Sequence, residues 1–248
     1  MKDWLKIGAG LISGLAGGFL LAQRGAQPSR QQADRQRRVD YRQIEALSAL
    51  REHLNLREPL PPMRGYAISP DFAVILLETL RDHKPRHTLE LGCGVSTLIG
   101  AYTLEQYELE GRITSVEHQP AFAQITRDNL ARHGLSAFVQ VVDAPLVLLR
   151  GLHRWRGRWY HAPSIPADAI DLLVIDGPPQ YQNPSPLARY PALPMLFDRL
   201  SPGALILVDD ADRAHERRAI RRWLREYPLI EVRRFDTEKG TVLLRKTV

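Results

Sequence analysis

The sequence predicts an α/β fold with one mostly parallel, seven-stranded sheet. Two observations predict it. Short apolar runs alternate with helical patterns at 95–107, 119–133, 193–200 and 211–226, which is typical of right-handed strand–helix–strand units. Only residues 236–239 separate the last two apolar runs, too few for a crossover, so an antiparallel hairpin is expected. The predicted strands are 87–91, 112–117, 137–142, 171–175, 204–208, 229–235 and 240–245.

Composition and charge exclude several classes of protein. The 248 residues are 44% hydrophobic and 25% charged, which excludes a disordered chain. The single cysteine, Cys93, excludes an intramolecular disulfide and a multi-cysteine metal site. Of the net charge of +6, residues 1–58 hold 10 basic against 6 acidic side chains, and the rest of the chain holds 24 against 22. The body is nearly neutral, so no nucleic-acid partner is expected.

Residues 1–24 are predicted to form a membrane anchor. Residues 7–22 carry no charge, and a helix of that length spans about 24 Å, close to the thickness of a bilayer core. Six arginines and two aspartates between Arg24 and Arg42 then predict a single N-terminal membrane helix with a cytoplasmic body. A cleaved signal peptide ending near Ala22 and a buried helix remain alternatives.

The glycines of the predicted anchor fall at four-residue spacing, at Gly10, Gly14 and Gly18, which would permit self-association. Residues 25–63 are predicted to hold a basic linker, 25–38, and then an amphipathic helix that packs on the body or on a second copy of itself. The apolar positions of this helix are Tyr41, Ile44, Leu47, Leu50 and Leu54.

The connection 144–170 has no clean helical period and interleaves aromatic and arginine side chains. It is predicted to be a hairpin whose aromatic side chains cover the sheet edge. Stacking on a ligand ring or binding of an anion is the alternative.

The first strand ends in a Gly-x-Gly turn, Gly92–Gly94, which lets a ligand approach the backbone and the helix N-terminus. Thr97 stands where a dinucleotide site would have a third glycine, and Glu90 suits a cationic group better than a pyrophosphate. Glu117, 23 residues after Gly94, can accept both hydroxyls of a ribose.

Glu90-Leu-Gly92-Cys-Gly94, with Glu117, Asp143 and Asp176 at successive strand ends, resembles the class I S-adenosylmethionine-dependent methyltransferases over about residues 64–245. The resemblance implies a Rossmann-like, doubly wound sheet with strand order 3-2-1-4-5-7-6, strand 7 antiparallel, and an N-terminal helical arm. The domain would then be residues 64–248.

By this resemblance, Glu90 and the glycine loop would hold the methionine end of S-adenosylmethionine, and Glu117 its ribose. His118 would flank the adenine, and Asp143 would contact its amino group. The implied cofactor-binding set is Glu90, Gly92, Cys93, Gly94, Ser96, Glu117, His118, Asp143, Ala144 and Asp176.

The expected activity is methyl transfer, at oxygen, to a small-molecule, sugar or lipid-linked acceptor. A nicotinamide- or nucleoside-binding oxidoreductase and a non-catalytic, membrane-bound S-adenosylmethionine-binding scaffold are the alternatives.

Asp176, Asp209 and Asp210 follow two strands that should be neighbours, and their mutual repulsion predicts a Mg²⁺ site. The pattern is similar to that of metal-dependent O-methyltransferases. The alternative is that Asp209 or Asp210 caps the helix that begins near residue 211.

Several of those enzymes carry the general base two or three residues past the first acid. Here Pro178 and Pro179 occupy those places. Asp176 and His215 are therefore the predicted catalytic residues, with Tyr181 as the alternative to His215.

Overall fold

The computed structural model describes residues 29–152, 155–166, 168–183 and 186–247. The chain divides into two compact units, residues 1–41 and 42–248, and the second contains every strand described below. The strands are β1 (His87–Leu91), β2 (Arg112–Glu117), β3 (Val139–Asp143), β4 (Leu146–Leu149), β5 (Gly157–Tyr160), β6 (Ile170–Ile175), β7 (Leu200–Val208), β8 (Leu229–Phe235) and β9 (Thr241–Lys246). The helices are α1 (Arg30–His53), α2 (Pro70–His83), α3 (Val95–Gln106), α4 (Pro120–Arg132), α5 (Ala192–Leu196) and α6 (Ala214–Glu226).

Seven strands form one sheet in the order β3-β2-β1-β6-β7-β9-β8. All neighbours are parallel except β9, which is antiparallel to both β7 and β8. Counted without β4 and β5, which pair only with each other, this is the predicted order 3-2-1-4-5-7-6. The predicted Rossmann-like fold is therefore confirmed.

The register of the sheet aligns the strand ends. Leu91 of β1 pairs with Val116 of β2 and with Ile175 of β6. Ile175 in turn pairs with Val208 of β7. The residues that follow these strands therefore emerge at one level of the sheet, which is where open α/β sheets bind ligands.

Alternate side chains of each strand supply two cores, one on each face of the sheet. Leu173 and Ile175 belong to the core that contains Trp223 of α6. Leu172 and Val174 belong to the core that contains helices α2 and α3 and the buried Leu50 of α1. A fully buried parallel strand with apolar residues on both faces reads as a continuous apolar run, as the sequence does here.

The predicted hairpin in 144–170 is formed by β4 and β5. Trp159 and Tyr160 of β5 are buried, and they pack in the same core as Leu89 and Ile175 of the central strands. The expectation that the aromatic side chains cover the sheet edge is thus corrected: they fill the core below the carboxyl ends of the strands.

The N-terminal arm is helical earlier than predicted. Helix α1 begins at Arg30, so most of the predicted linker 25–38 is helix. Ser29 and Gln32 cap it reciprocally: the Ser29 N–H donates to Gln32 Oε1 at 2.9 Å, and the Gln32 N–H donates to Ser29 Oγ at 3.2 Å. Leu50 is buried, whereas Ile44 is 66% exposed, so only part of the predicted apolar face packs on the core.

The predicted membrane location needs correction. Within the residues that the structure describes, no helix is both long and apolar enough to cross a bilayer, which contradicts the prediction of a transmembrane helix. The segment on which that prediction and the glycine-mediated self-association rested, residues 1–24, lies outside the described residues.

Candidate active site

A cleft of about 470 Å³ opens at the carboxyl ends of β1, β2 and β6. Leu91 pairs with Val116 and with Ile175, so the residues that follow these three, Gly92, Glu117 and Asp176, lie at the same level of the sheet. Seven of the predicted cofactor-binding residues line this cleft: Gly92, Cys93, Gly94, Ser96, Glu117, His118 and Asp176.

The glycine loop turns the chain from β1 into α3. Gly92 has φ +95° and Gly94 has φ +151°, both in the region that favours glycine. A Cβ atom added at Gly94 would have no neighbour within 4 Å, so the loop leaves open space above it. The N-terminal residues Val95 and Ser96 of α3 line the cleft beside this space, where helix N-terminal amides can meet a ligand.

Glu90 lies beneath the loop rather than in the lining of the cleft. The hydroxyls of Thr97 and Ser115 each donate to its Oε2 at 2.6 Å. Its Oε1 is buried and has no hydrogen-bond partner among the described residues. Burial raises the pKa of Glu90 to about 7, although the hydroxyl hydrogen bonds act against the rise.

Thr97, which replaces the third glycine of a dinucleotide site, has a role of its own. Besides donating to Glu90, its Oγ1 accepts a hydrogen bond from the Gly94 N–H at 3.0 Å. It therefore couples the buried carboxylate to the loop, a contact that glycine cannot make.

Main-chain N–H groups hold the Glu117 carboxylate. His118 and Gln119 donate to Oε1 at 2.8 Å, and Cys93 donates to Oε2 at 3.3 Å. Burial alone would raise its pKa, but the His118 side chain, whose Nδ1 lies 2.8 Å from Oε1, and the Gln119 N–H outweigh burial and lower it. Glu117 is therefore an ionised acceptor, preorganised at the cleft wall for ligand hydroxyls.

His118 and Cys93 flank this carboxylate. The Nε2 atom of His118 lies 2.6 Å from Oε1 of Gln182, and its ring meets Tyr160 edge-on, with 6.3 Å between the ring centroids. Burial raises the pKa of the Cys93 thiol, whose sulfur lies 3.1 Å from Oγ1 of Thr126. The thiol is therefore protonated at neutral pH and fits the role of a small filler.

Asp143 and Ala144 lie at the end of β3, outside the lining of the cleft. The Asp143 carboxylate accepts a hydrogen bond from Nη2 of Arg127 at 2.6 Å. The Ala144 N–H donates to the carbonyl oxygen of Glu117 at 2.7 Å. The predicted contact of Asp143 with the cofactor stays a prediction.

The acid trio, Asp176, Asp209 and Asp210, converges as the strand order requires, with one carboxylate oxygen of each within 4.8 Å of the others. Burial raises the pKa of Asp209 to about 8, and the charges of Asp176 and Asp210 add to the rise. Helix α6 begins at Ala214, with Arg213 at its N-cap and no side-chain capping bond, so the alternative of an aspartate cap is wrong.

Arg189 is the site residue that sequence reasoning missed. It is 4% exposed, and its Nη2 donates to Asp210 Oδ2 at 2.6 Å and to Asp176 Oδ1 at 3.2 Å. Its Nη1 donates to the carbonyl oxygen of Asp209 at 2.9 Å. The only signal in the sequence was a lone arginine between the apolar Leu187-Ala188 pair and Tyr190, in a segment without period.

The acid trio does not fit the predicted Mg²⁺. Asp210 Oδ2 is shared by Arg189 and by Arg213, whose Nη1 lies 2.9 Å away. The ammonium of Lys239 lies 3.8 Å from Asp210 Oδ1 and 4.0 Å from Asp209 Oδ2. Both Asp209 carboxylate oxygens and Asp210 Oδ1 have no hydrogen-bond partner among the described residues, but three cationic side chains lie within 4.0 Å of the trio and would repel a divalent ion.

The lining of the cleft also includes an exposed aromatic pair. Tyr66 is 89% and Tyr181 67% exposed, and their rings meet edge-on with 6.1 Å between the centroids. Tyr160 closes the floor, and its buried hydroxyl has no hydrogen-bond partner in the described part of the chain. His215, half-buried in the first turn of α6, is not among the lining residues, so the geometry favours Tyr181 over the predicted His215 as a catalytic group.

Comparison with known proteins decides the family. A family model described as a methyltransferase domain matches residues 89–211, the span that contains the glycine loop, Glu117 and the acid trio. Residues 89–211 form a domain of the class I S-adenosylmethionine-dependent methyltransferase family. The predicted alternative of an oxidoreductase finds no support in these comparisons.

A curated relative of the chain extends the finding. A curated protein-L-isoaspartate O-methyltransferase from Methanopyrus kandleri is 30% identical over 165 residues, 66% of this chain. The match spans 62% of that relative's length.

Two solved structures share the fold. The SAH-bound methyltransferase PaMTH1 from Podospora anserina matches with TM-score 0.57 and 14% identity, over 96% of each chain. An O-methyltransferase from Bacillus cereus in complex with SAH matches with TM-score 0.53 and 18% identity, over 83% of this chain and 90% of that one. At this level of identity these structures show the fold alone.

Proposed function

We propose that this protein transfers the methyl group of S-adenosylmethionine to a hydroxyl oxygen of a small-molecule acceptor. One observation carries the proposal: Gly92–Gly94 and Glu117 line the same cleft as Asp176, Tyr66 and Tyr181. The first group is called the cofactor end and the second the acceptor end. S-adenosylmethionine, when bound, supplies a methyl group on a sulfonium.

The cofactor end binds S-adenosylmethionine and orients its methyl group. Glu117, held ionised by three N–H groups, accepts hydrogen bonds from the ribose hydroxyls. The open face of Gly94 leaves room for the ligand at the N-terminus of α3. Because methyl transfer is an in-line displacement, holding the two reacting atoms in line supplies much of the rate enhancement.

The acceptor end accepts the proton. Asp176 lines the cleft with 19% of its side chain exposed, and burial raises its pKa, opposed by the Arg189 charge. A carboxylate with a raised pKa is a stronger base toward an acceptor hydroxyl than an ordinary aspartate. The predicted Mg²⁺ has no part in this step, because the acid trio does not fit it.

Methylation of a carboxylate is the second candidate, favoured by the 30% identity to the isoaspartate O-methyltransferase. A carboxylate acceptor needs no base, and Asp176 would repel it. The acceptor end therefore supports a hydroxyl better than a carboxylate.

Calorimetry with S-adenosylmethionine and S-adenosylhomocysteine tests the cofactor end. Glu117→Ala should weaken both by about 1.5–3 kcal/mol, about 10- to 150-fold, because hydrogen bonds to a charged acceptor are lost. Glu110→Ala, at an exposed glutamate outside the cleft, is the matched control and should bind like the unaltered protein. Equal affinity of the folded Glu117→Ala variant would refute the assignment.

Transfer of labelled methyl to acceptors with a hydroxyl or with a carboxylate tests the acceptor end. Asp176→Asn should lower kcat on a hydroxyl acceptor by about 100-fold or more, with cofactor affinity nearly unchanged. Transfer to isoaspartyl peptides alone would favour the second candidate instead.

A further inference from the structure

We infer that the Arg189 guanidinium is the resident cation of the acid trio and takes the place of a divalent metal ion. It touches all three residues of the trio: the carboxylates of Asp210 and Asp176, at 2.6 and 3.2 Å, and the carbonyl oxygen of Asp209, at 2.9 Å. Arg189, Asp209 and Asp210 are buried, so little solvent screens their contacts, and Asp176 is partly exposed. A fixed planar guanidinium is suited to bridging separate oxygen acceptors in this way.

Two further cations approach the trio from other elements. Arg213, just before α6, contacts the same Asp210 oxygen as Arg189. Lys239, in the turn between β8 and β9, lies 3.8–4.0 Å from Asp210 and Asp209. A divalent ion bound to these carboxylates would lie beside three positive side chains, and Coulomb repulsion would oppose its binding.

Four acids face Arg189, since Glu216 Oε1 of α6 also lies 3.8 Å from its Nε. Burying a guanidinium is costly unless acids surround it, and here they do. The guanidinium of an arginine stays protonated in proteins, so Arg189 carries a permanent positive charge. Side chains of the protein itself thus neutralise the negative charge of the acid trio.

A metal ion bound in place of Arg189 would coordinate three particular oxygens of the trio. Both carboxylate oxygens of Asp209 and Oδ1 of Asp210 are buried without a hydrogen-bond partner in the described ranges. Removing the Asp209 carboxylate therefore distinguishes the two possibilities.

Titration with Mn²⁺, followed by electron paramagnetic resonance on the chelator-treated full chain, tests the inference directly. The unaltered protein should leave millimolar Mn²⁺ free, and Asp209→Asn should behave identically. Arg189→Gln should bind Mn²⁺ about tenfold or more tightly than the unaltered chain, because it leaves the carboxylates uncompensated. The double variant Arg189→Gln, Asp209→Asn should lose that gain.

Binding of one Mn²⁺ per unaltered chain, abolished by Asp209→Asn, would overturn the inference. This comparison suffices even if Arg189→Gln does not fold. It is also independent of any methyl transfer, so its failure is distinct from failure of the proposed function.

A second measurement rests on the proposed function: transfer to a hydroxyl acceptor should keep its rate after exhaustive chelation. Loss of transfer that Mg²⁺ restores would contradict the inference while supporting the proposed function.

Discussion

At the cofactor end, three main-chain N–H groups and the neighbouring His118 imidazole hold the negative charge, whereas next to the acceptor end a buried guanidinium holds it. Glu117 receives three N–H groups from residues that are its neighbours in the chain or in the glycine loop. Asp176 instead shares Arg189 with Asp210, on the neighbouring strand's end.

This difference predicts how substitutions at each end will affect the protein. Removing a carboxylate that backbone N–H groups hold should lower the stability of the protein little, because those N–H groups lie next to a solvated cleft. A network of buried charges depends on every member, because removal of one leaves the others unpaired. Changes at the cofactor end should therefore affect binding, and changes in the charged network should affect stability.

The largest effect is expected for Arg189→Met. Removing the guanidinium leaves Asp176, Asp210 and Glu216 without their shared cation, so the free energy of unfolding at neutral pH should fall by about 3–5 kcal/mol. Urea unfolding measures it.

Arg213→Met is the matched control for Arg189→Met, since Arg213 contacts the same Asp210 oxygen but is 54% exposed. Its effect should be at most about 1 kcal/mol. Similar losses of unfolding free energy for the two variants would show that the buried network and the surface ion pair do not differ in strength.

Glu90→Gln should give a smaller effect with a distinct pH dependence. The pKa of Glu90 is raised from 4.5 to about 7 in the folded chain. Between these values the unfolded chain releases a proton that the folded chain keeps, so stability falls as pH rises through this window, by about 3 kcal/mol in total. Glu90→Gln should remove this fall and be the more stable protein above pH 7.

Unfolding curves from pH 4 to pH 8 for Glu90→Gln and for Glu110→Gln, an exposed control, measure that dependence. If the unaltered protein and Glu90→Gln show the same slope in this window, then Glu90 is ionised in the folded state.

The smallest effect is expected at the mouth of the cleft. Tyr66→Ala removes one ring of the exposed Tyr66–Tyr181 pair and should raise KM for an acceptor about 2- to 10-fold, the value of one aromatic contact. Cofactor affinity should not change. Ile230→Ala, at an exposed apolar side chain of β8, is the control, and an equal rise in its KM would show that the effect is not specific to the mouth.

The sequence alone predicted alternating strands and helices with a terminal hairpin, and its resemblance to the methyltransferase family supplied the sheet order. Alternating strands and helices, with one link too short for a crossover, leave few topologies. Gly92, Glu117 and Asp176 each lie at the end of a predicted strand, and parallel strands place such residues at one level. The backbone geometry of the loop is also local, because it depends on glycine at two positions.

Only the tertiary structure decided the place of Arg189, the role of Thr97 and the position of the β4–β5 aromatic side chains. Arg189 lies 21 residues before Asp210 in a segment without period. Whether an arginine is buried depends on which acids reach it through the fold, because burial is favourable only when they neutralise its charge. Spacing along a chain records the period of a helix or strand, but it does not record which side chains from separate loops share one buried site.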